Sequence, residues 1–299
     1  MTRWISPGTR SPYGAQRVLA AFGVARSSFY AWRADAAREG PRKPCGKRGP
    51  KVRLSDAELL AEIRDDLATS PFKGEGHRKV WARLRVLRHV RAARKRILRL
   101  MRENHLLSPF RVPHASPTTH DGKIMTDGPN DMWGTDGTRI FTVNDGWVWL
   151  FSVVEHWNAE CLGWHVCKEG HRFNALQPVA MALQDVFGTV CRDVARGVAL
   201  RMDHGTQYLS DHFLNQIRFW GLAPSFAFVT EPETNGVAER FNRTLKEQAI
   251  YGRIFNDIEE VRAAVRTFIE TYNEHWRIEK LGFLSPNQAR RSWFAQEAA

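Results

Sequence analysis

The sequence predicts an α/β layered domain with helical units ahead of it, and three observations lead there. From residue 131 onward, short β-branched and aromatic runs alternate with helix-length stretches, the texture of strands layered against helices. Before residue 107 the apolar residues recur at helical spacing. Charge divides at nearly the same place: residues 1–128 hold 27 Lys and Arg against 11 Asp and Glu, while residues 129–299 hold 17 against 21.

A chain of 299 residues suits two or more domains, at about 150 residues each. With 43% hydrophobic and 25% charged residues it can bury a sizeable core. No run approaches the ~20 uncharged apolar residues of a membrane helix, and the N-terminal stretch lacks a signal peptide's apolar segment. A soluble, cytoplasmic protein without membrane association is expected. The four cysteines form no Cys-x-x-Cys pair, so reduced structural thiols are expected rather than a zinc knuckle or a disulfide framework. A surplus of 16 positive charges over the first 128 residues favours contact with a polyanion over an idle solvated face.

The elements follow in order. Residues 13–34 read as helix, turn at Gly23, and a second helix capped by Ser27. This is the outline of a helix-turn-helix or of an ordinary helical hairpin, with Ser27, Ser28, Tyr30 and Arg33 outward on the second helix. Residues 40–53 form a basic Pro/Gly linker. A helix over 54–69 carries a capping box at Ser55 and Glu58. A loop at 72–79 holds Arg78 and Lys79, and helices are expected to about residue 87 and across 92–105. In the last of these Ile97, Leu100, Met101 and Asn104 share one face, which leaves Arg91, Arg94, Lys95, Arg99 and Arg102 outward as phosphate contacts. Residues 108–130, rich in Pro, His, Thr, Asp and Gly, read as an interdomain linker.

Beyond it, strands are expected at 139–143, 148–155 and 161–167, with a turn at 144–146. A helix at 173–187, a strand at 198–202, a helix at 211–220, a strand at 225–229 and helices at 237–249 and 257–275 complete the series. The expected divisions are therefore 1–39, 40–53, 54–107, 108–130 and 131–299.

Three acids stand out by their flanks. Asp136 lies in a strand-like stretch between Trp133 and Ile140, where a half-buried acid needs a partner or a metal. Asp203 ends the apolar run 198–202 and the chain breaks at Gly205, which would leave its carboxylate at the sheet's C-terminal edge. Glu239, 35 intervening residues later, opens a helix on which Arg243 and Lys246 follow on the same face. Three carboxylates on separate elements are a donor set for Mg²⁺ or Mn²⁺, and two such ions about 4 Å apart promote phosphodiester chemistry. Asp136, Asp203 and Glu239 are the expected metal ligands and catalytic residues. Lys246, Arg243 and Asn235 are read either as DNA-phosphate contacts or as helix-face and capping residues. His204 either orients water or phosphate or is a hydrogen-bonded structural histidine.

At these residues the sequence resembles the D,D,E transposase and retroviral-integrase superfamily, specifically OrfB-type transposases of insertion sequences. Trp133-x-x-Asp136-x-Thr138 resembles the first acidic motif and Asp203-His-Gly-Thr-Gln-Tyr208 the second. Asn235-Gly-Val-Ala-Glu239-Arg-Phe-Asn-Arg-Thr-Leu-Lys246 resembles the third. Tyr272-Asn273 with Leu281-Gly-Phe-Leu-Ser-Pro286 resembles the C-terminal signature, and residues 71–107 the helical DNA-binding segment before the core.

The resemblance implies a ribonuclease H-like core, a mixed sheet with flanking helices, preceded by helical DNA-binding units. It implies a divalent metal site, with Mg²⁺ or Mn²⁺ and two ions per site expected. It also implies recognition of terminal inverted repeats and target DNA, assembly as a homo-oligomer on DNA, and strand transfer by direct transesterification. An upstream DNA-binding partner protein is a further expectation, as is a bacterial cytoplasm, with nucleoid association on DNA. Arg78, Lys79, Arg94, Lys95 and Arg99 are the expected DNA contacts of the helical unit. The sequence departs from the family pattern at Glu155, where Asp is usual, and at His156-Trp-Asn, His275–Lys280 and the tyrosine-free 72–79 loop. A catalytically silent, transposase-derived DNA-binding regulator and a metal-dependent nuclease on the same fold are the alternatives.

Overall fold

The computed structural model describes residues 3–38, 40, 53–109, 126–227 and 235–297. Most of the 40–53 linker, most of the 108–130 linker and the end of the strand expected at 225–229 lie outside these residues. The chain divides into two compact units, Met1–Arg53 and Leu54–Ala299.

In the first unit a bridge pairs Ile5 with Pro12, and α1 (Gly14–Ala21) and α2 (Arg26–Ala36) follow. Gly23 takes φ +62, which lets the chain reverse, and the Val24 amide closes the turn on the Leu19 carbonyl. The turn is therefore complete before Ser27. Helix α2 starts one residue ahead of that expected cap, behind an extended Ala25 and with no side-chain cap. Leu19 is the only buried side chain of the two helices. Ser27, Tyr30 and Arg33 are exposed and Ser28 is half-buried.

The second unit begins with α3 (Asp56–Thr69), α4 (His77–Val86) and α5 (Arg94–Glu103). The Ser55–Glu58 capping box forms: Glu58 N donates to Ser55 Oγ at 3.2 Å and Ser55 N to Glu58 Oε2 at 2.7 Å. Leu59, Ile63, Val80, Leu84, Ile97, Leu100 and Met101 interlock between the three helices. Beneath them Arg83 joins two acids that are equally buried. It donates to Asp66 at 2.7 and 3.0 Å and contacts Glu75. The expected 72–79 loop is shorter than read, because α4 starts at His77 behind an extended Gly76 and takes Arg78 and Lys79 into its first turn.

The core is a five-stranded mixed sheet in the order β3-β2-β1-β4-β5. Its strands are β1 (Met132–Thr142), β2 (Gly146–Glu155), β3 (Cys161–Cys167), β4 (Ala199–Met202) and β5 (Ala223–Phe226). Strands β1 to β3 run antiparallel, and β4 and β5 continue the sheet parallel to β1. Strand β1 begins seven residues before the expected 139. Gly134, Asp136 and Gly137 weaken its intrinsic strand signal, but pairing with β2 over Trp133–Thr142, and with β4 at Met132–Gly134, overrides propensity.

Helices α6 (Arg172–Phe187), α7 (Thr206–Leu209) and α8 (Asp211–Phe219) pack on one face with Trp133, Phe151, Leu200, Met202 and Tyr208. Helix α9 (Gly236–Leu245), a π turn over Lys246–Ile250 and α10 (Ile258–His275) cover the other, against Ile140, Val148, Leu150 and Val166. The expected single helix over 237–249 is thus an α-helix that loosens into a π turn. The unforeseen α11 (Pro286–Glu297) opens on Pro286, where a missing N–H costs nothing. Strand β3 can approach α6 only because residue 163 is glycine: a Cβ there would sit 2.1 Å from the Pro178 carbonyl oxygen.

Glu155, which ends β2, is fully buried and accepts from Asn130 N at 2.8 Å, Trp133 Nε1 at 3.2 Å and Trp157 N at 3.3 Å. Burial outweighs these donors and pushes its carboxyl up from 4.5 to about 7. The folded state thus holds a proton that the unfolded chain releases, so this group's contribution to stability is full below 4.5 and is lost as pH rises to about 7. Glu155→Gln is expected to flatten that slope in urea titrations run from pH 4.5 to pH 8. An unchanged slope would assign the pH dependence to other groups.

Candidate active site

The register between β1 and β4 builds the site. Met132, Trp133 and Gly134 lie opposite Ala199, Leu200 and Arg201. Two residues further along each strand come Asp136 and Asp203. Side chains alternate along a strand, so the two carboxylates project from the same face, the one α9 covers. Asp203 leaves the strand immediately and is held by the Gly205 amide, which donates to its Oδ1 at 2.8 Å. A side chain at 205 would have no space, since a Cβ there would lie 2.9 Å from that oxygen and 2.5 Å from Gln207 Nε2.

Asp136 sits deeper. Its Oδ1 accepts from the Gly137 amide at 2.8 Å and its Oδ2 from Asn242 Nδ2 at 2.8 Å. Asn242 is buried on α9, with its amide oxygen accepting from Ser152 Oγ at 3.2 Å. Ser152 is in turn the β2 residue directly opposite Asp136. This closed triangle fixes the carboxylate from sheet and helix at once.

Burial raises the pKa of Asp136 first of all; the two hydrogen bonds oppose that, Asp203 adds to it, and Lys246 opposes it. Both acids and the Lys246 ammonium are therefore within electrostatic reach of one another. Tyr208 lies fully buried under the pair, its hydroxyl pKa pushed up by burial and by both carboxylates. Removing Asn242 takes away the largest influence that holds Asp136 ionised. Asn242→Ala is expected to move the acid limb of a pH–rate profile to higher pH, with a smaller shift for Ser152→Ala. Superimposable profiles would show that the Asn242 bond does not govern ionisation.

Glu239 is exposed in the first turn of α9, one helical turn before Asn242. Among the described residues no group of three or more His, Cys, Asp or Glu side chains is arranged to hold a metal. The structure thus brings Asp136 and Asp203 together and does not bring Glu239 into one ligand cluster with them. Residues 228–234, which lead into α9, lie outside the described residues.

The chemistry of the pair nevertheless fits a hard divalent cation. Two half-buried carboxylates lie within electrostatic reach of one another, and Mg²⁺ is commonly bound by one or two carboxylates plus water and substrate phosphate. Asp136, Asp203 and, from α9, Glu239 are the residues that would hold it.

The other expected contacts fall into two groups. Arg243 is exposed and pairs with Glu247 at 2.9 Å. Arg78 and Arg94 reach Glu279 at 3.8 and 3.2 Å, Arg99 pairs with Asp56 at 2.6 Å, and Lys95 is exposed. Asn235 and Lys79 face inward. Asn235 makes no side-chain cap; it is buried and donates from Nδ2 to the Thr135 carbonyl at 3.1 Å, which pins the start of α9 to β1. Lys79 lies 3.8 Å over the Trp276 ring, with its ammonium on the Arg277 carbonyl, because helix α4 turns it toward that segment. His204 packs near Phe226, with ring centroids 5.7 Å apart. Asn242, Ser152 and Tyr208 were not singled out in the sequence. For Asn242 the available signal was its place three residues after Glu239, on the same side of the helix.

Known proteins resemble the chain over most of these elements. The family described as Integrase core domain matches residues 126–232 and again 221–286, and the HTH-like domain family matches 56–114. Transposase InsD for insertion element IS2A/D/F/H/I/K of Escherichia coli is 29% identical over 246 residues, 79% of this chain and 79% of the relative. The chain belongs to the D,D,E transposase/integrase superfamily and is of the OrfB type.

InsD for insertion element IS2-9 of Escherichia coli strain K12 is also 29% identical, over 79% of this chain and 78% of the relative. Among solved structures, the BIV integrase catalytic core is 18% identical with a TM-score of 0.42, covering 57% of this chain and 99% of that one. The HTLV-2 integrase catalytic core in complex with magnesium is 15% identical with a TM-score of 0.41, covering 54% and 97%. The transposase assignment makes the protein a polynucleotidyl transferase by family. Integrase-family cores use divalent metals, and transposases and integrases bind DNA and form oligomers. No helix among the described residues is long and apolar enough to cross a membrane.

Proposed function

We propose that this transposase cleaves DNA at the ends of an insertion sequence and joins the freed ends to a target by direct transesterification, with Asp136, Asp203 and Glu239 as its catalytic and metal-binding residues. The observation that carries this reading is the placement of Asp136 beside Asp203 on one face, through the parallel β1–β4 register, with Lys246 in reach. Two Mg²⁺ or Mn²⁺ ions, when bound, would supply charge neutralisation at the attacked phosphate and at the departing oxygen. Asn242 and Ser152 orient Asp136. Lys246 and Arg243 offer cations to the phosphates on either side of the attacked one. Water attacks the phosphorus at the element's end, the bond to the 3′ oxygen breaks and that oxygen leaves as a 3′-hydroxyl, which then attacks a target phosphodiester and displaces the target strand's own 3′ oxygen.

The division of labour follows the charge distribution. Residues 1–39 and 54–107 hold the terminal inverted repeats, with Arg78, Arg94, Lys95 and Arg99 as phosphate contacts, and 131–299 carries the chemistry. Lys79 and Asn235, on this reading, support the elements that make contact. The linkers at 40–53 and 108–130 join the parts. A homo-oligomer assembled on DNA in the bacterial cytoplasm, at the nucleoid, is the working form, and an upstream DNA-binding protein joins it.

Incubation with labelled terminal-repeat DNA and Mn²⁺ tests the proposal. Joined products support strand transfer. Cleavage without joining makes the protein a nuclease, and binding without cleavage makes it a DNA-binding regulator.

A further inference from the structure

The hairpin of β1 and β2 extends three residue pairs past β3, from Ile140–Val148 to Thr142–Gly146, and this end carries exposed aromatic rings interleaved with cations. Strand β4 pairs with β1 only at Met132–Gly134, so from Thr135 onward that edge of β1 has no strand partner among the described residues. On the face opposite Asp136, the cross-strand pairs Arg139–Trp149 and Phe141–Trp147 form a two-by-two cluster. The Arg139 guanidinium lies over both indoles, 5.6 Å from the Trp147 centroid and 5.5 Å from that of Trp149. Phe141 meets Trp147 edge-on at 5.5 Å. Phe141 and Trp147 remain 56% and 58% exposed, an unusual state for two large rings that neither α6 nor α10 covers.

The cluster continues across Trp149. A Cβ at Gly170 would overlap that indole at 2.3 Å, so the turn into α6 rests directly on the ring. Two residues later Arg172 lies 5.0 Å over the ring of Phe173, itself 47% exposed. Neither Arg139 nor Arg172 is ion-paired among the described residues. The ribbon is therefore apolar and cationic together, with its positive charge already stacked on rings.

We infer that this ribbon is a stacking surface for the unpaired bases of a DNA strand next to the phosphate under attack. The inference rests on the transposase reading above and adds to it the partner of a surface outside the acid pair. Flat exposed rings match bases, and unneutralised guanidinium groups match the phosphates between them; a folded apolar partner would leave both arginines buried without counter-charge. Position agrees as well. Arg139 follows Asp136 by three residues on the same strand, about 10 Å at the usual rise. The unpaired edge of β1 leaves a route from the face that holds the acids to the face that holds the rings.

Binding of a fluorescein-labelled single-stranded oligonucleotide to the full chain in EDTA tests this without metal or turnover. Trp147→Ala and Arg139→Ala, both at exposed positions, are each expected to weaken binding about tenfold, in keeping with base–aromatic stacking. Trp147→Phe should retain most of the affinity, and duplex binding should change less than single-strand binding. Equal single-strand affinity of parent and both Ala variants would overturn the inference. So would a wild-type protein that binds duplex but no single strand. Loss of self-association in sedimentation without loss of single-strand binding would instead assign the patch to contact between copies, which also overturns it. Failure of strand joining in Mn²⁺ with single-strand binding intact would count against the catalytic reading alone.

Discussion

Asp136→Asn protein is expected to bind terminal-repeat DNA as the parent does and to give at least a thousandfold less joined product. The carboxylate is the most constrained donor of the site, held by Gly137 N and by Asn242 Nδ2. An amide in its place can keep the shape but cannot supply a charged oxygen to a hard cation. Several kcal/mol of charge stabilisation at the phosphate depend on that donor, and each ~1.4 kcal/mol is tenfold in rate.

The same substitution should make the protein harder to unfold at neutral pH. Burial raises the Asp136 pKa above 3.8, so keeping this side chain ionised in the folded state costs stability at neutral pH; the cost shrinks as pH falls through the folded pKa and is gone below 3.8. A neutral isostere removes the cost. Thermal melting without metal at pH 8 and pH 4 reads it: the variant should melt higher than the parent at pH 8, and the difference should be smaller at pH 4. A variant that joins DNA at the parental rate would sink the assignment of Asp136. A lower melting point at pH 8 would instead show that the carboxylate is already well compensated by its donors.

Arg83→Met is expected to be the most destabilising single change in the helical unit. Arg83, Asp66 and Glu75 are each close to fully buried, and Ser70 Oγ donates to the same Glu75 oxygen that Arg83 contacts, at 2.9 Å. Without the guanidinium, two carboxylates face each other in a dry interior. Breaking a buried pair from one side costs about 3–5 kcal/mol, roughly 10 °C in melting temperature for a unit of this size. Replacing Asp66, Glu75 and Arg83 together with apolar residues of similar volume should recover most of that loss, because the desolvation penalty leaves with the charges. If Arg83→Met melts within about 2 °C of the parent, below the shift expected from even 1 kcal/mol, the triad contributes little to stability.

Much of this architecture is legible in the sequence. Helix α5 was readable because Ile97, Leu100 and Met101 recur at helical spacing and all three are buried. Helix α3 was readable from the Ser55–Glu58 box, whose two hydrogen bonds are local. Failures occurred where long-range pairing decided. Strand β1 begins among glycines and an aspartate that local propensity reads as a break, and its neighbours make it a strand. Lys79 looked like one more outward cation, yet Trp276, almost two hundred residues away, receives it. Asn242 looked like any helical asparagine until β1 and β2 placed Asp136 and Ser152 on either side of its amide.

By itself the sequence determined the family, the α/β class with helical units ahead of it, and the identity of three acids whose flanks set them apart. These are properties of local pattern: periodicity, capping, charge distribution and short motifs. Only the tertiary structure decided which groups share a site. A parallel register aligns Asp136 with Asp203, one buried asparagine turns that alignment into a fixed carboxylate, and the overhanging hairpin leaves Phe141 and Trp147 uncovered. None of these relations is written in neighbouring residues, because each depends on strands and helices that meet only after the chain has closed on itself.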